Sequence, residues 1–177
     1  NSTGSLVGWN EGGNISNSSV IGYVDGRIDT GGFIGLNHGN ISNSYFKGEV
    51  NGTNDVGGFI GRNNGTINSS YSTDNVTGTG LDVGGFIGEV YGSDIFDSYS
   101  TSNVTSTSTN VGGFIGRLDS FNAGESEIIS NSYSTGNVEG VGGSTFSTGI
   151  GGFIGIMNNA DTSAKLNISN SYSTGNV

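Results

Sequence analysis

The sequence predicts an all-β fold, a parallel β-solenoid of about six coils with one coil per repeat of about 27 residues. Two observations predict it. The segment Gly-Gly-Phe-Ile-Gly recurs at 31–35, 57–61, 84–88, 112–116 and 151–155, and a second segment, Ile-x-x-Ser-Tyr-Ser-Thr-x-Asn-Val in its fullest form, follows each copy. Spacing within each segment is constant, whereas the joints between segments vary in length. Strands paired with copies above and below cannot absorb insertions, but corners facing solvent can.

The segments themselves favour strands over helices. They are rich in Ile, Val, Phe, Tyr and Thr and are bounded by turns such as Asn51-Gly52 and Asn64-Gly65. Helical repeats would need apolar residues at i, i+3, i+4 and i+7 among good helix formers, and Gly and Asn interrupt every such run. A degenerate first copy, Gly-Ser-Leu-Val-Gly, occupies 4–8. We therefore predict one repeat domain over 1–177, with coils at approximately 4–30, 31–56, 57–83, 84–111, 112–150 and 151–177.

In-register stacking places like residues in columns along the long axis of the solenoid. Ile and Val of both segments are expected to form interior ladders, with a small Ser at a tight corner and an Asn ladder at the end of the second segment. Phe and Ile of the first segment have opposite parity, so one of them must face outward or lie at a bend. The predicted ladders of the first segment are Phe33, Phe59, Phe86, Phe114 and Phe153, and Ile34, Ile60, Ile87, Ile115 and Ile154; that of the second is Tyr45, Tyr71, Tyr99, Tyr133 and Tyr172.

Composition and charge exclude several classes of function. The chain has 35 Gly, no Pro, no Cys, one Met, one Trp and one His, which leaves no thiol chemistry and little histidine chemistry. Its formal net charge is −10, a field that repels phosphate backbones, so nucleic acid is not an expected partner. No apolar run approaches the ~18 residues of a membrane span, so direct membrane insertion is not expected. No cofactor is predicted.

The two segments resemble the GLUG-motif repeats of large surface proteins of bacteria and archaea, including adhesin-like proteins and the non-catalytic part of some immunoglobulin A peptidases. The resemblance covers all six copies. The first copy departs from it, because Ser19 and Val20 stand where Tyr and Ser are expected. The resemblance implies an extracellular β-helical rod for display or attachment, and it implies no catalytic residue.

No capping segment is visible in the sequence at either end of the repeat array. Bare solenoid ends expose unpaired strand edges, which favours continued stacking. We expect either a segment of a longer array or a protomer that associates head to tail with other copies.

Ten Asn-x-Ser/Thr sequons are candidates for glycosylation in a glycosylating host. They begin at Asn1, Asn14, Asn17, Asn40, Asn51, Asn64, Asn68, Asn75, Asn103 and Asn167. The repeat itself supplies many of them, because Asn precedes Ile-Ser in several copies, so coincidence is the alternative interpretation.

Acidic residues suggest one site and argue against catalysis. Two long corners, 117–128 and 156–167, contain Asp119, Glu125, Glu127 and Asp161, which could contact a cation or a glycan; solvated loops are the alternative. His38 lies at a variable corner, and five further acids are expected to be scattered in turns, namely Asp55, Asp74, Asp82, Asp94 and Asp97. We therefore predict no enzyme activity and no resident metal.

Hydroxyl residues of the second segment suggest a surface stripe. Four Ser-Thr pairs would stack on successive coils, and ice binding by this hydroxyl stripe is a lesser alternative function; the pairs are Ser72-Thr73, Ser100-Thr101, Ser134-Thr135 and Ser173-Thr174. The main expectation is a non-enzymatic extracellular rod, an adhesin-like stalk or filament segment. The alternative is a glycan-binding module that uses aromatic columns or corner loops, and a polysaccharide-active β-helix is a lesser alternative.

Overall fold

The computed structural model describes residues 1–107, 109–120, 126–141, 148–159 and 165–177. It confirms the predicted fold class, because each strand pairs in parallel with the equivalent strands of the neighbouring repeats to form a β-solenoid. Four sheets, here named A to D in the order in which each coil enters them, run along the solenoid. Within those ranges every regular element is a strand, and none is a helix long and apolar enough to cross a membrane.

Sheets A and B contain the first segment of each repeat. The strands of sheet A are Thr3–Gly4, Thr30–Gly31, Val56–Gly57, Val83–Gly84, Val111–Gly112 and Ile150–Gly151. Those of sheet B are Val7–Asn10, Ile34–Asn37, Ile60–Asn63, Ile87–Tyr91, Ile115–Ser120 and Ile154–Asn159.

Sheets C and D contain the second segment. The strands of sheet C are Ile15–Ser16, Ile41–Ser42, Ile67–Asn68, Ile95–Phe96, Ser126–Ser130 and Lys165–Ser169. Those of sheet D are Ser19–Asp25, Tyr45–Gly52, Tyr71–Thr73, Asn75–Gly78, Tyr99–Ser100, Asn103–Ser106, Tyr133–Ser134, Val138–Gly140 and Tyr172–Ser173. The first two coils each have one long strand in sheet D. In coil three the equivalent segment is divided into two strands by a turn at Asp74, whose φ is 90°, and the strands of later coils are also short.

The register is the predicted one, like residue over like residue. Ile60 pairs with Ile34 on one side and Ile87 on the other, and Val83 pairs with Val56 and Val111. The Phe59 ring stacks 4.7 Å from Phe33 and 5.0 Å from Phe86 between centroids, close to the spacing of hydrogen-bonded strands. One core of apolar side chains follows these columns from Val24 to Val138.

A bend between sheets A and B resolves the parity of the first segment. Phe59 and Ile60 are both fully buried although they are consecutive residues. The carbonyl of Phe59 accepts hydrogen bonds from both Phe33 N–H, at 2.8 Å, and Ile34 N–H, at 3.1 Å. Because one carbonyl pairs with two residues, as in a β-bulge, the alternation of sides is interrupted there. Neither ladder faces solvent, so the first segment leaves no aromatic stripe on the surface.

Left-handed residues form the corner between sheets C and D. The residue before the small Ser has a φ between 48° and 51° in every coil, and Asn or Asp occupies it in all coils but one, consistent with their tolerance of this region. The Ser that follows is buried in coils two to five and forms the predicted tight corner. Ser70 Oγ, for example, donates to the Asn68 carbonyl at 2.9 Å and accepts from Ser44 N–H at 3.3 Å.

A buried amide ladder in sheet B was not predicted. Asn10 Nδ2 donates to Asn37 Oδ1 at 2.7 Å, Asn37 Nδ2 donates to Asn63 Oδ1 at 2.8 Å, and Asn63 Nδ2 donates to Ser93 Oγ at 2.9 Å. Each coil therefore provides hydrogen-bond partners for buried polar atoms of the neighbouring coil. The predicted Asn ladder in sheet D also exists, but it is exposed: Asn103 Oδ1 accepts from Asn137 N–H at 3.0 Å.

Candidate functional site

The predicted acidic corner is not a solvated protrusion where it is described. Asp119 is fully buried, and its Oδ2 lies 2.7 Å from Arg117 Nη2. Glu127 is buried as well. Glu125 and Asp161 lie outside the described residues. The two carboxylates that can be placed are therefore embedded in the solenoid, and Asp119 is neutralised by an arginine.

Three aspartates form a column along the solenoid. This finding corrects the expectation that Asp55 and Asp82 are scattered in turns. Asp29, Asp55 and Asp82 each precede a strand of sheet A, at equivalent positions of consecutive coils, with φ values of 44°, 51° and 57°. All three are buried. Asp74 and Asp97 lie in exposed turns, as expected.

Charged residues of sheet B face this column. Arg62, Glu89 and Arg117 are in register on three consecutive coils. Arg62 lies 2.9 Å from Asp55, 2.8 Å from Glu89 and 3.4 Å from Asp29. Arg117, besides Asp119, lies 3.9 Å from both Asp82 and Glu89. We name these seven residues, Asp29, Asp55, Asp82, Glu89, Asp119, Arg62 and Arg117, the charged cluster.

The charged cluster has more carboxylates than guanidinium groups. Five acids against two arginines would give a formal charge of −3 if all were ionised. Burial, followed by the nearby Glu89 carboxylate, raises the pKa of Asp55 to about 7, although Arg62 opposes the shift. Burial also raises the pKa of Asp82 to about 6, opposed by the hydrogen bond from Asn110 Nδ2 at 2.7 Å. Protons therefore relieve part of the excess negative charge near neutral pH.

Three members of the charged cluster, Asp55, Asp82 and Glu89, bring carboxylate oxygens within 4.8 Å of one another, as a metal site would. The guanidinium of Arg62 already lies beside two of the three. We therefore interpret the cluster as a structural ion-pair network with its own counterions.

Lowering the pH from 8 to 5 is expected to raise the free energy of unfolding by about 2 to 4 kcal/mol. The folded-state pKa values of Asp55 and Asp82 lie above the ordinary value of 3.8, so the folded chain binds more protons than the unfolded chain. The stabilisation is fully present below the unfolded-state pKa of 3.8 and is lost as the pH rises through about 6 to about 7. Urea unfolding at a series of pH values measures it.

The double variant Asp55→Asn/Asp82→Asn keeps hydrogen-bond acceptors for Arg62 and Asn110 but cannot titrate, so its stability should vary little over the same range. Asp25→Asn, at an exposed position, is the matched control and should retain the profile of the parent chain. Stability that decreased from pH 8 to pH 5 would contradict this account of the charged cluster.

A polar hollow of about 370 Å³, here named the corner groove, opens at the corner between sheets B and C. It crosses coils two to five. The side chains that line it include His38, Asn40, Asn64, Thr66, Asp94 and Glu127. Gly65 and Ser93 also line it, and buried Asn63 holds them together, because Asn63 Nδ2 donates to the Gly65 carbonyl at 2.6 Å and to Ser93 Oγ at 2.9 Å.

The repeat unit matches a known motif. Residues 1–25, 26–51 and 79–105 match the GLUG motif. Three segments of this chain therefore carry the GLUG motif. No curated protein and no solved structure matches the chain significantly. The motif matches and the β-solenoid fold are together consistent with a repeat structural protein.

The tyrosine column of the GLUG repeats stacks on sheet D as predicted. Centroids of consecutive rings from Tyr45 to Tyr172 lie 4.8 to 5.1 Å apart, and the ring planes are within 6° of parallel. Neighbouring rings therefore cover each other's faces, and ring edges are what the column presents to solvent. Since sugars stack on aromatic faces, this arrangement offers little platform for a glycan along the column.

The hydroxyl stripe of the GLUG repeats is half as wide as expected. Ser72, Ser100 and Ser134 are buried, and Ser72 Oγ donates to the Gly85 carbonyl at 2.7 Å. Thr101, Thr135 and Thr174 are exposed, but Lys47 and Ile21 continue the same column in the first two coils. The stripe is therefore one threonine column, which is limited to coils three to six.

Most sequon asparagines of the GLUG repeats are accessible. Nine of the ten are exposed: Asn1, Asn14, Asn17, Asn40, Asn64, Asn68, Asn75, Asn103 and Asn167. Asn51 is half-buried, and its Nδ2 donates to Tyr23 Oη at 3.1 Å. Asn40 and Asn64 line the corner groove, so a glycan attached to either would occupy it.

Proposed function

We propose that this GLUG-repeat chain is a non-enzymatic structural rod that acts outside the cell as an adhesin-like stalk or filament segment. The observation that carries the proposal is the uninterrupted column of in-register coils around one apolar core. Each coil is stabilised by its neighbours, so length can be added without a new core. The charged cluster supports a structural role, because its carboxylates pair with arginines.

The coil-to-coil register suggests how a filament would grow. Ile168 pairs in register with the equivalent Ile129, and all four sheets repeat such pairing from coil to coil. We propose that further coils, from the same chain or from a second copy, can extend the sheets in this register. Sedimentation that showed no association at any concentration would exclude the second copy.

Surface labelling tests the extracellular role. An antibody against the chain should label intact cells of the native host, and external protease should remove that label while a cytosolic marker stays protected. Labelling that appeared only after lysis would contradict the proposal.

Glycan binding is the second candidate function, and the corner groove favours it over the aromatic columns. The groove offers hydrogen-bonding side chains around a hollow, whereas the phenylalanine column is interior and the tyrosine column shows ring edges.

A further inference from the structure

The corner groove is assembled from corners of different lengths. Between the last Gly of the first segment and the Ile of the second, coils two and three have steps of six residues, coil four has seven and coil five has thirteen. Asn40, Thr66 and Asp94 are the residues just before the first strand position of sheet C in coils two, three and four. Glu127, from the long corner of coil five, lines the groove beside them. The hollow therefore lies where the short corners of coils two to four meet the longer corner of coil five.

The groove is held in place by the rigid part of the fold. Asn63, at the end of the buried amide ladder, fixes Gly65 and Ser93 through one amide group. Asp94 Oδ1 accepts a hydrogen bond from Ile128 N–H at 2.9 Å, which links coil four to coil five and orients the carboxylate. Binding groups supported in this way need little ordering when a ligand arrives.

The chemistry of the lining narrows the class of ligand. Amides of Asn40 and Asn64, the hydroxyl of Thr66 and the carboxylates of Asp94 and Glu127 can pair with hydroxyl groups, both as donors and as acceptors. Apart from the polar imidazole of His38, none of the described lining residues is aromatic or aliphatic, which disfavours an apolar ligand. No lysine or arginine is among the described lining residues, and the two carboxylates repel anions.

Size and spacing argue against a bare metal ion. Among the described residues, Asp55, Asp82 and Glu89 are the group whose ligand atoms lie within 4.8 Å of one another, and Asp94 and Glu127 do not belong to it. The hollow of about 370 Å³ is within the range of small-molecule sites, about 300 to 1,000 Å³.

We propose that the corner groove binds a neutral or amino-bearing saccharide of one or two units through the side chains of Asn40, Asn64, Thr66, Asp94 and Glu127. This proposal specifies the ligand class of the second candidate function, glycan binding. It rests on the proposed extracellular role, because such sugars are encountered outside the cell. Acidic saccharides are rejected by the two carboxylates.

A saccharide array tests this site with the full chain, produced in a host without N-glycosylation so that Asn40 and Asn64 are unmodified. The array carries neutral, amino and acidic mono- and disaccharides, and the strongest ligand is then titrated by calorimetry. Neutral or amino sugars should bind and acidic sugars should not. The variant Asn40→Ala/Asn64→Ala should weaken binding at least tenfold, since two hydrogen-bonding groups are lost.

The matched control is Asn14→Ala, an exposed asparagine of the same column as Asn40, one coil outside the groove lining; it should bind like the parent chain. The proposal is overturned if no neutral or amino sugar binds, if acidic sugars bind best, or if the control loses as much affinity as the double variant. Heat from Ca²⁺ alone that Asp94→Asn abolishes would also overturn it, in favour of a cation site. Surface labelling is independent of these results, so failure of the groove and failure of the extracellular role are distinguishable.

Discussion

Replacement of Gly84 by alanine is expected to destabilise the folded chain by about 3 kcal/mol. A Cβ atom on Gly84 would overlap the Ile87 carbonyl oxygen of its own coil and lie 2.7 Å from Gly116 N of the next coil. Both are backbone atoms held by the sheets, so neither can move aside without breaking strand pairing. The reason is steric, because Gly84 does not have a positive φ.

Urea unfolding measures this loss, and Gly22→Ala is the matched control. A Cβ on Gly22 would meet no atom within 4 Å, so the control should change stability by less than about 0.5 kcal/mol. Equal effects of the two substitutions would show that the close approach of the coils at Gly84 is absent in solution.

Replacement of Phe86 by alanine is expected to cost about 3 to 5 kcal/mol. The Phe86 side chain is fully buried, and its ring stacks 5.0 Å from Phe59 and 4.8 Å from Phe114. Its removal would leave a cavity in the middle of an interior ladder, where neighbouring coils are fixed by hydrogen bonds and cannot collapse into it.

Tyr99→Ala is the matched comparison for Phe86→Ala. Tyr99 also stacks between two equivalent rings, at 4.8 and 4.9 Å, but it is half-buried on sheet D. Its loss should cost clearly less, because the truncated site is open to water. A Tyr99 variant less stable than the Phe86 variant would place the tyrosine ladder, and not the phenylalanine ladder, in the core.

The columns of the second segment could be predicted from the sequence because a constant spacing permits one register. Ile67 and Val76 are buried and Tyr71 is stacked, each over its equivalents. The sides that Phe and Ile of the first segment face could not be predicted, because the shared carbonyl at Phe59 breaks the alternation of sides. Ile34 and Asn37 are both buried although they are three residues apart, so simple alternation gave no indication of the amide ladder.

The charged cluster and the corner groove were missed for different reasons. Asp29, Asp55 and Asp82 each stand two residues before a Gly-Gly pair, a sequence signal that alignment of the variable joints could have detected. Their burial against Arg62 could not be inferred, because that arginine reaches acids of three coils. The corner groove depends on corners of four coils with unequal lengths, which no single repeat encodes.

Distances between spin labels in one outward column test the stacked register most directly. Ile21, Lys47, Thr101 and Thr174 occupy equivalent, exposed positions of coils one, two, four and six. The chain contains no cysteine, so introduced cysteine pairs are the only labelled sites.

The label separation should rise by about 4.8 Å per coil, from about 10 Å for Lys47–Thr101 to about 19 Å for Lys47–Thr174 and about 24 Å for Ile21–Thr174. Separations that did not increase in this order, as in a chain folded back on itself, would contradict a solenoid of in-register parallel coils.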